Sequence, residues 1–351
     1  MSTHTETQPL TTGTSGKSTV PLTRKDFISD QMVRWCPGCG DYSVLAQMHK
    51  LLPTLGVPRE QTVFVSGIGC SSRFPYYVNT YGIHGIHGRA PAIAMGVKAV
   101  RPDLSVWVVT GDGDGLSIGG NHLIHLIRRN LNIKVLLFDN RIYGLTKGQY
   151  SPTSVVGQKT KSTPMGVIDF PLHPIELALG AEATFVARAV DTDQQHLTEV
   201  MRRAAEHTGT AFVQIYQDCP VFNDGAFDWI RDKSHRMENG LYLTHGQPIR
   251  FGKNNEKGII LDGITPKIVT VTEKNQADLL VHDERAPQPT LAFLLSRMTP
   301  PNYPVPLGVL RAVEKPTYEV ALEQQIADAK NKKGEGDMQA LLLGSEHWTV
   351  D

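Results

Sequence analysis

The chain has 351 residues, and its 35 lysines and arginines balance 35 aspartates and glutamates, so its formal net charge is zero. This balance argues against a general binder of nucleic acid or of anionic membranes, because neither would be attracted at long range. Hydrophobic residues make up 40% of the chain and charged residues 20%, which is the composition of a folded globular protein. Its four cysteines are too few for a disulfide-stapled secreted scaffold.

The N-terminal segment, residues 1–25, is rich in threonine, serine and glycine, and we predict that it is a mobile tail. It lacks a basic stretch followed by an apolar stretch, so we do not expect a secretory signal. The sequence has no apolar run of about 18 residues or more, which argues against a membrane-spanning helix. We therefore expect a cytoplasmic protein that has no membrane partner.

Between residues 26 and 223, short apolar strands alternate with helical patterns. The predicted strands are 62–66, 105–110, 133–139, 184–187 and 211–217, and the predicted helices are 42–52, 90–100, 120–131, 174–179 and 193–207. Apolar strands that alternate with helices are typical of a parallel sheet covered on both faces. We predict a doubly wound, mostly parallel α/β domain over residues 26–223, with its ligand site beyond the carboxyl ends of the strands.

After residue 223 this alternation gives way to short segments and a Pro-rich connection. A hairpin pattern lies at residues 249–261, and helices are predicted at 289–298 and 317–332. We predict that residues 224–351 form a C-terminal extension that has little chemistry of its own and contributes to a subunit interface.

The strongest local motif follows the second predicted strand, where Gly111, Asp112, Gly113, Asp114 and Gly115 form a glycine-rich turn. Glycines at the end of a strand let backbone amides approach a phosphate group. One interpretation is the dinucleotide-binding turn of a nicotinamide dehydrogenase, but two aspartates in the turn would repel a pyrophosphate unless a cation lay between them. Mg²⁺ removes this objection, because it binds carboxylate, amide carbonyl and phosphate oxygens together.

A second loop follows the next predicted strand and begins with Asn140. Since both loops end strands of one parallel sheet, they can converge at the same edge. Asp112, the side-chain oxygen of Asn140 and a backbone carbonyl just beyond it could then supply the protein's share of an Mg²⁺ coordination shell.

The four cysteines lie in turns. Cys36 and Cys39 form a Cys-x-x-Cys pair, Cys70 follows the first predicted strand, and Cys219 follows the last. One such pair and two single cysteines can form a four-thiolate site for structural zinc or for a [4Fe–4S] cluster. Zinc ribbons normally use two Cys-x-x-Cys pairs, so the spacing favours iron–sulfur. Unrelated structural cysteines and a thioredoxin-like redox pair stay open as alternatives.

Taken together, these motifs resemble the β subunits of the 2-oxoacid:ferredoxin oxidoreductases, which are thiamine-diphosphate enzymes. The resemblance covers about residues 27–223 and lies in the segments RWCPGCGDY, SGIGCSSRFPYY, IHGRAPAIAMGVK, VVTGDGDGLSIGGNHLIHLIRRN and DNRIYGLTKGQYSPTS. The RFPYY and GLTKGQYSPTS segments are most similar to those of members that use 2-oxoglutarate, often called KorB-type.

The resemblance implies four ligand sets. It implies that Cys36, Cys39, Cys70 and Cys219 bind a [4Fe–4S] cluster, and that Asp112, Asn140 and the carbonyl of Ile142 bind Mg²⁺. It places Arg73 and Leu145 at the distal end of the substrate. The positions that it places around thiamine diphosphate are Gly69, Ser71, His87, Gly88, Arg89, Gly111, Asp112, Gly113, Asp114, Asn140, Ile142, Gly144, Leu145 and Thr146.

The implied activity is oxidative decarboxylation of a 2-oxoacid, 2-oxoglutarate by these motifs, with coenzyme A as co-substrate. The products would be CO₂, succinyl-CoA and reduced ferredoxin, and the reaction could run in reverse. Thiamine enzymes also need a glutamate against the pyrimidine ring, and the resemblance places it on an α subunit, so we assign no catalytic residue to this chain. We expect a heterotetramer, an αβ dimer of dimers, that reduces a separate ferredoxin and binds no nucleic acid.

Three alternatives remain open from the sequence. One is a member of the same family that uses pyruvate or another 2-oxoacid. The others are more distant: a zinc-stabilised nucleotide-binding module without catalysis, and an NAD-dependent dehydrogenase.

Overall fold

The structure is a computed structural model that describes residues 21–348 and residue 350. Most of the segment predicted to be a tail, residues 1–20, lies outside the described residues. Among the helices of the described part, none combines the length and the hydropathy that a bilayer crossing requires.

The described residues form eleven strands. They are β1 Thr62–Ser66, β2 Tyr81–His84, β3 Ser105–Gly111, β4 Ile133–Asp139, β5 Phe185–Val190, β6 Ala211–Tyr216, β7 Gly240–Tyr242, β8 Arg250–Phe251, β9 Lys257–Asp262, β10 Thr265–Thr270 and β11 Val305–Ala312. Eight of them form one sheet in the order β2-β1-β3-β4-β6-β5-β11-β7. β1 to β6 pair in parallel, β11 pairs antiparallel with β5, and β7 pairs parallel with β11. The predicted mostly parallel sheet is therefore confirmed.

Helices cover both faces of this sheet. The α-helices are α1 Asp41–Leu51, α2 Phe74–Tyr77, α3 Ala90–Val100, α4 Asp112–Leu116, α5 Gly120–Arg129, α6 Pro174–Gly180, α7 Gln194–Glu206, α8 Asp228–Arg231, α9 Lys233–Asn239, α10 Thr290–Ser296, α11 Tyr318–Lys333 and α12 Met338–Leu343. On β3, Val106 and Val108 pack in one core with α3 and α5, whereas Trp107 and Val109 pack in a second core with α1 and α7. β1, β4, β5 and β6 are buried along their whole length and are mostly apolar, because successive side chains enter opposite cores.

The C-terminal extension contributes to the main sheet. β11 begins inside the segment predicted to be a Pro-rich connection, and all but the last of its eight residues are buried. Prolines within a segment argue against a strand, which is why the sequence pattern did not reveal β11. The predicted hairpin is present, since β8 and β9 pair antiparallel, and β10 extends them to a second, three-stranded sheet.

One crevice in the main sheet positions the site. The chain leaves β1 towards the edge strand β2 but leaves β3 in the opposite direction, towards β4. The turns after β1 and β3 therefore diverge, and a crevice opens between them at the carboxyl edge of the sheet.

Candidate functional site

The glycine-rich turn and the loop after β4 are in direct contact at this crevice. β3 ends at Gly111, and α4 begins at Asp112. A Cβ on Gly113 would lie 2.2 Å from Cε1 of Tyr143, so glycine is required for this close approach. The Tyr143 hydroxyl donates a hydrogen bond of 3.0 Å to the carbonyl oxygen of Gly113. The two motifs identified separately in the sequence thus form one site.

Asp112 is buried beside a second carboxylate. Its Oδ2 accepts hydrogen bonds from the hydroxyls of Ser151, at 2.5 Å, and Thr153, at 2.6 Å. The Thr153 hydroxyl also lies 2.9 Å from Oδ1 of Asp139, so one hydroxyl bridges two buried carboxylates. Burial and the nearby Asp139 carboxylate raise the pKa of Asp112 to about 7. A bound cation would remove this repulsion, and the pair therefore fits a metal site.

Asn140 adds an amide oxygen beside Asp112. Both residues line the same cavity, as does Ile142, whose backbone N–H donates to Asn140 Oδ1 at 3.1 Å. Carboxylate, amide and backbone carbonyl oxygens are the protein ligands that Mg²⁺ accepts next to substrate phosphates. The residues present therefore fit Mg²⁺.

Asp114 joins three segments of the site. Its Oδ1 accepts hydrogen bonds from the backbone N–H groups of Ile68, at 3.0 Å, and Gly88, at 2.7 Å. The same oxygen lies 2.6 Å from Nδ1 of His87, and Oδ2 accepts from the Thr110 hydroxyl at 2.6 Å. The carboxylate thus fixes the loop after β1 and the loop after β2 against the glycine-rich turn.

Most positions expected around thiamine diphosphate line one cavity at the carboxyl edge, which we call the cofactor cavity. Those that line it are Gly69, Ser71, His87, Gly111, Asp112, Gly113, Asp114, Asn140, Ile142, Gly144, Leu145 and Thr146. Gly88 and Arg89 are outside the lining. Gly88 has φ +70°, and a Cβ there would lie 2.5 Å from the backbone nitrogen of Gly119. The Arg89 guanidinium donates to the carbonyl oxygens of His87, at 3.3 Å, and Ile118, at 3.2 Å.

All four cysteines line a second cavity, which we call the cysteine cavity. Cys36 is exposed, and Cys39, Cys70 and Cys219 are partly buried. A Cβ on Gly144 would lie 3.3 Å from Sγ of Cys219 and 3.6 Å from Sγ of Cys70, so the turns after β1 and β6 approach each other here. The fold therefore gathers the four predicted ligands from three separate turns.

The chemistry of these thiols fits a cluster. Burial, together with the Asp41 carboxylate, raises the pKa of Cys70 to about 12. Burial also raises the pKa values of Cys39 and Cys219, so these thiols keep their protons unless metal charge replaces them. Over the described ranges, no group of three or more His, Cys, Asp or Glu residues is placed to hold a metal ion. The thiols surround a space instead, and a [4Fe–4S] cluster binds one thiolate at each of its separate iron corners.

The two cavities share a wall. Cys70, Asn140, Gly144 and Leu145 line both of them. Arg73 lines the cysteine cavity and is not among the residues that line the cofactor cavity. Its guanidinium donates to the carbonyl oxygen of Arg34 at 3.2 Å. Of the two residues predicted to contact the substrate, Leu145 thus lies in the wall between the cavities, and Arg73 lies in the cysteine cavity.

Sequence reasoning missed two residues that support the site from behind, Ser151 and Thr153, and one that lines the cofactor cavity, Tyr143. Ser151 and Thr153 lie within the GLTKGQYSPTS segment, and their hydroxyls donate to Asp112. Tyr143 lies within the DNRIYG segment and packs on Gly113. The sequence does show polar residues shortly after Asn140. Their hydrogen-bond partners depend on the path of the loop, which the sequence does not reveal.

Comparison with known proteins first defines the class. Residues 67–215 match the family model described as "Thiamine pyrophosphate enzyme, C-terminal TPP binding domain". This match spans the chain from the turn after β1 to β6, which is the part that builds the cofactor cavity. The α/β core is thus of the thiamine-diphosphate-binding class.

Individual relatives define the family. The chain is 56% identical over 334 residues to 2-oxoglutarate oxidoreductase subunit KorB of Mycobacterium tuberculosis, covering 94% of this chain and 89% of that one. It is 36% identical over 247 residues to 2-oxoglutarate synthase subunit KorB of Methanocaldococcus jannaschii, covering 68% and 91%. The chain belongs to the 2-oxoacid:ferredoxin oxidoreductases, as a β subunit of the KorB type, and is therefore an oxidoreductase subunit. The resemblance stated from the sequence is confirmed.

A solved structure supports the same assignment. The fold is similar to that of a 2-oxoglutarate:ferredoxin oxidoreductase from Magnetococcus marinus, whose structure has 2-oxoglutarate, coenzyme A and succinyl-CoA bound. The TM-score is 0.72 at 33% identity, and the match covers 93% of this chain and 96% of that chain.

Proposed function

We propose that this chain is the β subunit of a 2-oxoglutarate:ferredoxin oxidoreductase. The complete enzyme would convert 2-oxoglutarate and coenzyme A into succinyl-CoA and CO₂ and would pass the electrons singly to ferredoxin, or run in reverse. The observation that supports this proposal best is the wall of Cys70, Asn140, Gly144 and Leu145 that separates the two cavities. Electrons released in the cofactor cavity need cross only this wall to reach the four thiols.

The chain would hold three groups. Thiamine diphosphate, when bound, supplies the carbanion that attacks the keto carbon of the substrate. Asp112, Asn140 and Ile142 would hold Mg²⁺ against the diphosphate, and the backbone of the glycine-rich turn would approach it closely. The four cysteines would hold a [4Fe–4S] cluster as the first electron acceptor.

An α subunit would complete the site. No glutamate is among the described residues that line the cofactor cavity, although thiamine enzymes need one at the pyrimidine ring. The loop beyond β4 also exposes large apolar side chains, since Met165 is 93% exposed, Ile168 87% and Phe170 90%. Exposed apolar patches of this kind are typical of protein–protein interfaces. An α subunit that binds at this loop would bury these side chains.

The proposal is tested with the enzyme purified anaerobically together with its α partner. We expect about four iron atoms per β subunit, bound thiamine diphosphate, and coenzyme A-dependent reduction of ferredoxin with 2-oxoglutarate in preference to pyruvate. Zinc without iron would contradict the cluster. NADH binding without thiamine diphosphate would instead favour a dehydrogenase, and a preference for pyruvate would contradict the substrate.

Arg73 is the residue that we propose for the distal carboxylate of 2-oxoglutarate, because a guanidinium binds a carboxylate through two parallel hydrogen bonds. In Arg73→Leu we expect kcat/KM for 2-oxoglutarate to fall about 30-fold or more, and kcat/KM for pyruvate to change much less. The matched control is Arg34→Leu, which removes a positive charge from the same cavity. Equal losses on both acids in Arg73→Leu would remove this residue from substrate selection.

A further inference from the structure

A buried ionic group lies next to the cysteine turns and has no role in the chemistry described so far. Arg231, at the end of α8, donates to both carboxylate oxygens of Asp191, from Nε at 2.8 Å and from Nη2 at 3.1 Å. Its Nη1 lies 3.5 Å from Oδ2 of Asp218. The side chains of Asp191 and Asp218 are 1% and 5% exposed, and that of Arg231 is 17% exposed. We call these three residues the Arg231 triad.

Both carboxylates of the triad lie against turns that contain cysteines. Asp218 directly precedes Cys219, and its carbonyl oxygen accepts a hydrogen bond of 3.2 Å from the backbone N–H of Gly40. Gly40 directly follows Cys39, and a Cβ on it would lie 2.2 Å from Oδ2 of Asp191. The triad therefore supports the turn of Cys39 and the turn of Cys219 from the side away from the cavity.

The surroundings of these two turns are rich in negative charge. Asp41, two residues after Cys39, is also fully buried, and its Oδ1 accepts a hydrogen bond of 2.7 Å from the Gln217 side chain. Among the described residues, Arg231 is the cation within salt-bridge distance of Asp191 and Asp218. Removal of its charge would leave both carboxylates uncompensated in a poorly polarisable environment, where charge interactions are strong.

We propose that Arg231 is a positioning residue that raises the reduction potential of the [4Fe–4S] cluster. It holds two buried carboxylates against the ligand turns and offsets their charge, and a reduced cluster is more stable where the surrounding charge is less negative. The proposal rests on the cluster in the proposed function. Arg231 itself is not among the residues that line either cavity, so it acts through the triad.

The experiment measures the midpoint potential of the cluster in the complete enzyme, by redox titration followed by EPR spectroscopy. In Arg231→Gln we expect a midpoint more negative than that of the wild type. Arg231→Lys, which keeps the charge, should restore most of the wild-type potential. Asp218→Asn, which removes a negative charge but can still accept the hydrogen bond of 3.1 Å from the Gly225 N–H, should shift the midpoint to more positive values.

A matched control removes the same type of ion pair elsewhere. Arg203 binds both oxygens of buried Glu284, at 3.0 and 2.7 Å, and does not line either cavity. We expect Arg203→Gln to leave the midpoint potential unchanged.

The outcomes separate this inference from the proposed function. If the wild-type enzyme contains no cluster, the proposed function fails and this inference fails with it. If the wild type has the cluster and Arg231→Gln keeps the wild-type midpoint, this inference is overturned while the proposed function stands. If Arg231→Gln does not assemble, Asp218→Asn decides, because an unchanged or more negative midpoint in that variant contradicts the sign of the effect.

Discussion

Asp112 is unfavourable for the empty protein, and we propose that it is needed once Mg²⁺ and thiamine diphosphate are bound. Its carboxylate is buried beside that of Asp139, and the two share the hydroxyl of Thr153. Burial and this neighbour raise its pKa to about 7, which means that the ionised form is disfavoured until a cation arrives. The residue is therefore placed for metal binding at some cost to the stability of the empty site.

The substitution Asp112→Asn tests this balance. We expect the variant to lose retained thiamine diphosphate and Mg²⁺, because it lacks the charged ligand. The cofactor-free protein should be at least as stable as the wild type, because the repulsion with Asp139 is gone. Cofactor content after gel filtration and thermal unfolding of the cofactor-free form measure the two effects. The control Asp103→Asn, at an exposed position, should change neither the cofactor content nor the thermal stability. Retention of the cofactor by Asp112→Asn would refute the assignment of Asp112 as a metal ligand.

Gly113 allows a test of close packing. A Cβ there would lie 2.2 Å from the Tyr143 ring, so Gly113→Ala should displace the loop after β4. We expect a loss of about 1–3 kcal/mol in the free energy of unfolding and weaker binding of thiamine diphosphate. Gly120→Ala, where a Cβ would meet nothing within 4 Å, should have no such effect. Urea unfolding and cofactor titration of both variants check this, and equal behaviour of the two would contradict it.

At the residue scale, the sequence predicted those residues whose side-chain chemistry is distinctive and which lie in short, recognisable motifs. The four cysteines, Asp112 and Asn140 could be singled out because thiols, an aspartate directly after a buried strand and an amide in a loop rarely occur together outside a cofactor site. Ser151 and Thr153 could not, since serine and threonine are common in loops. Only the folded path of the loop shows that their hydroxyls point at Asp112.

At the scale of elements, β11 ties the C-terminal part of the chain to the α/β core. It lies between β5 and β7, and its residues from Val305 to Arg311 are buried. α12, by contrast, contains no buried residue. These two elements differ in what they contribute to the fold, although both belong to the segment predicted as an extension.

Two truncations follow from this difference. A chain that ends at residue 334 loses α12 and should fold and keep its cofactors, because residues 335–348 are exposed. A chain that ends at residue 304 loses β11 and should not fold, because β5 would be left with an unpaired, apolar edge. Circular dichroism and soluble yield distinguish the two, and a well-folded 304-residue fragment would show that β11 is dispensable.

Elements buried on both faces were the easiest to predict, and those with interrupted patterns were not. β1 and β4 have the predicted bounds because both are mostly apolar, whereas β5 is interrupted by Arg188 and extends to residue 190, beyond the predicted end at residue 187. β2 is a largely exposed edge strand, so its sequence lacks an apolar run. β11 contains Pro306, and its pairing with β5 shifts register after Val309, so no regular alternation marks it.

At the scale of the whole molecule, the chain exposes large apolar side chains in the segment between β4 and α6. Met165, Ile168 and Phe170 are almost fully exposed, and they follow the loop that contains Ser151 and Thr153. Binding of an α subunit at this segment would bury these side chains.

Phe170→Glu tests this interface. We expect the variant to fold normally but to lose co-purification with the α subunit, since burial of a carboxylate costs several kcal/mol. Val100→Glu places the same charge on another apolar side chain that is 79% exposed, at the end of α3, and should not affect assembly. Size-exclusion chromatography of co-expressed subunits measures this, and normal assembly of Phe170→Glu would place the interface elsewhere.

The position of Cys70 has a consequence for substitutions in the turn after β1. Cys70 lies between Gly69 and Ser71, which line the cofactor cavity, so one short turn serves both cavities. An insertion or substitution in this turn would change the lining of the cysteine cavity and of the cofactor cavity at the same time. Leu145, on the opposite loop, belongs to the same wall but to neither the thiol set nor the metal set. A substitution at Leu145 would therefore change the wall between the cavities without altering a thiol or a proposed metal ligand, whereas a change at Cys70 would alter both cavities.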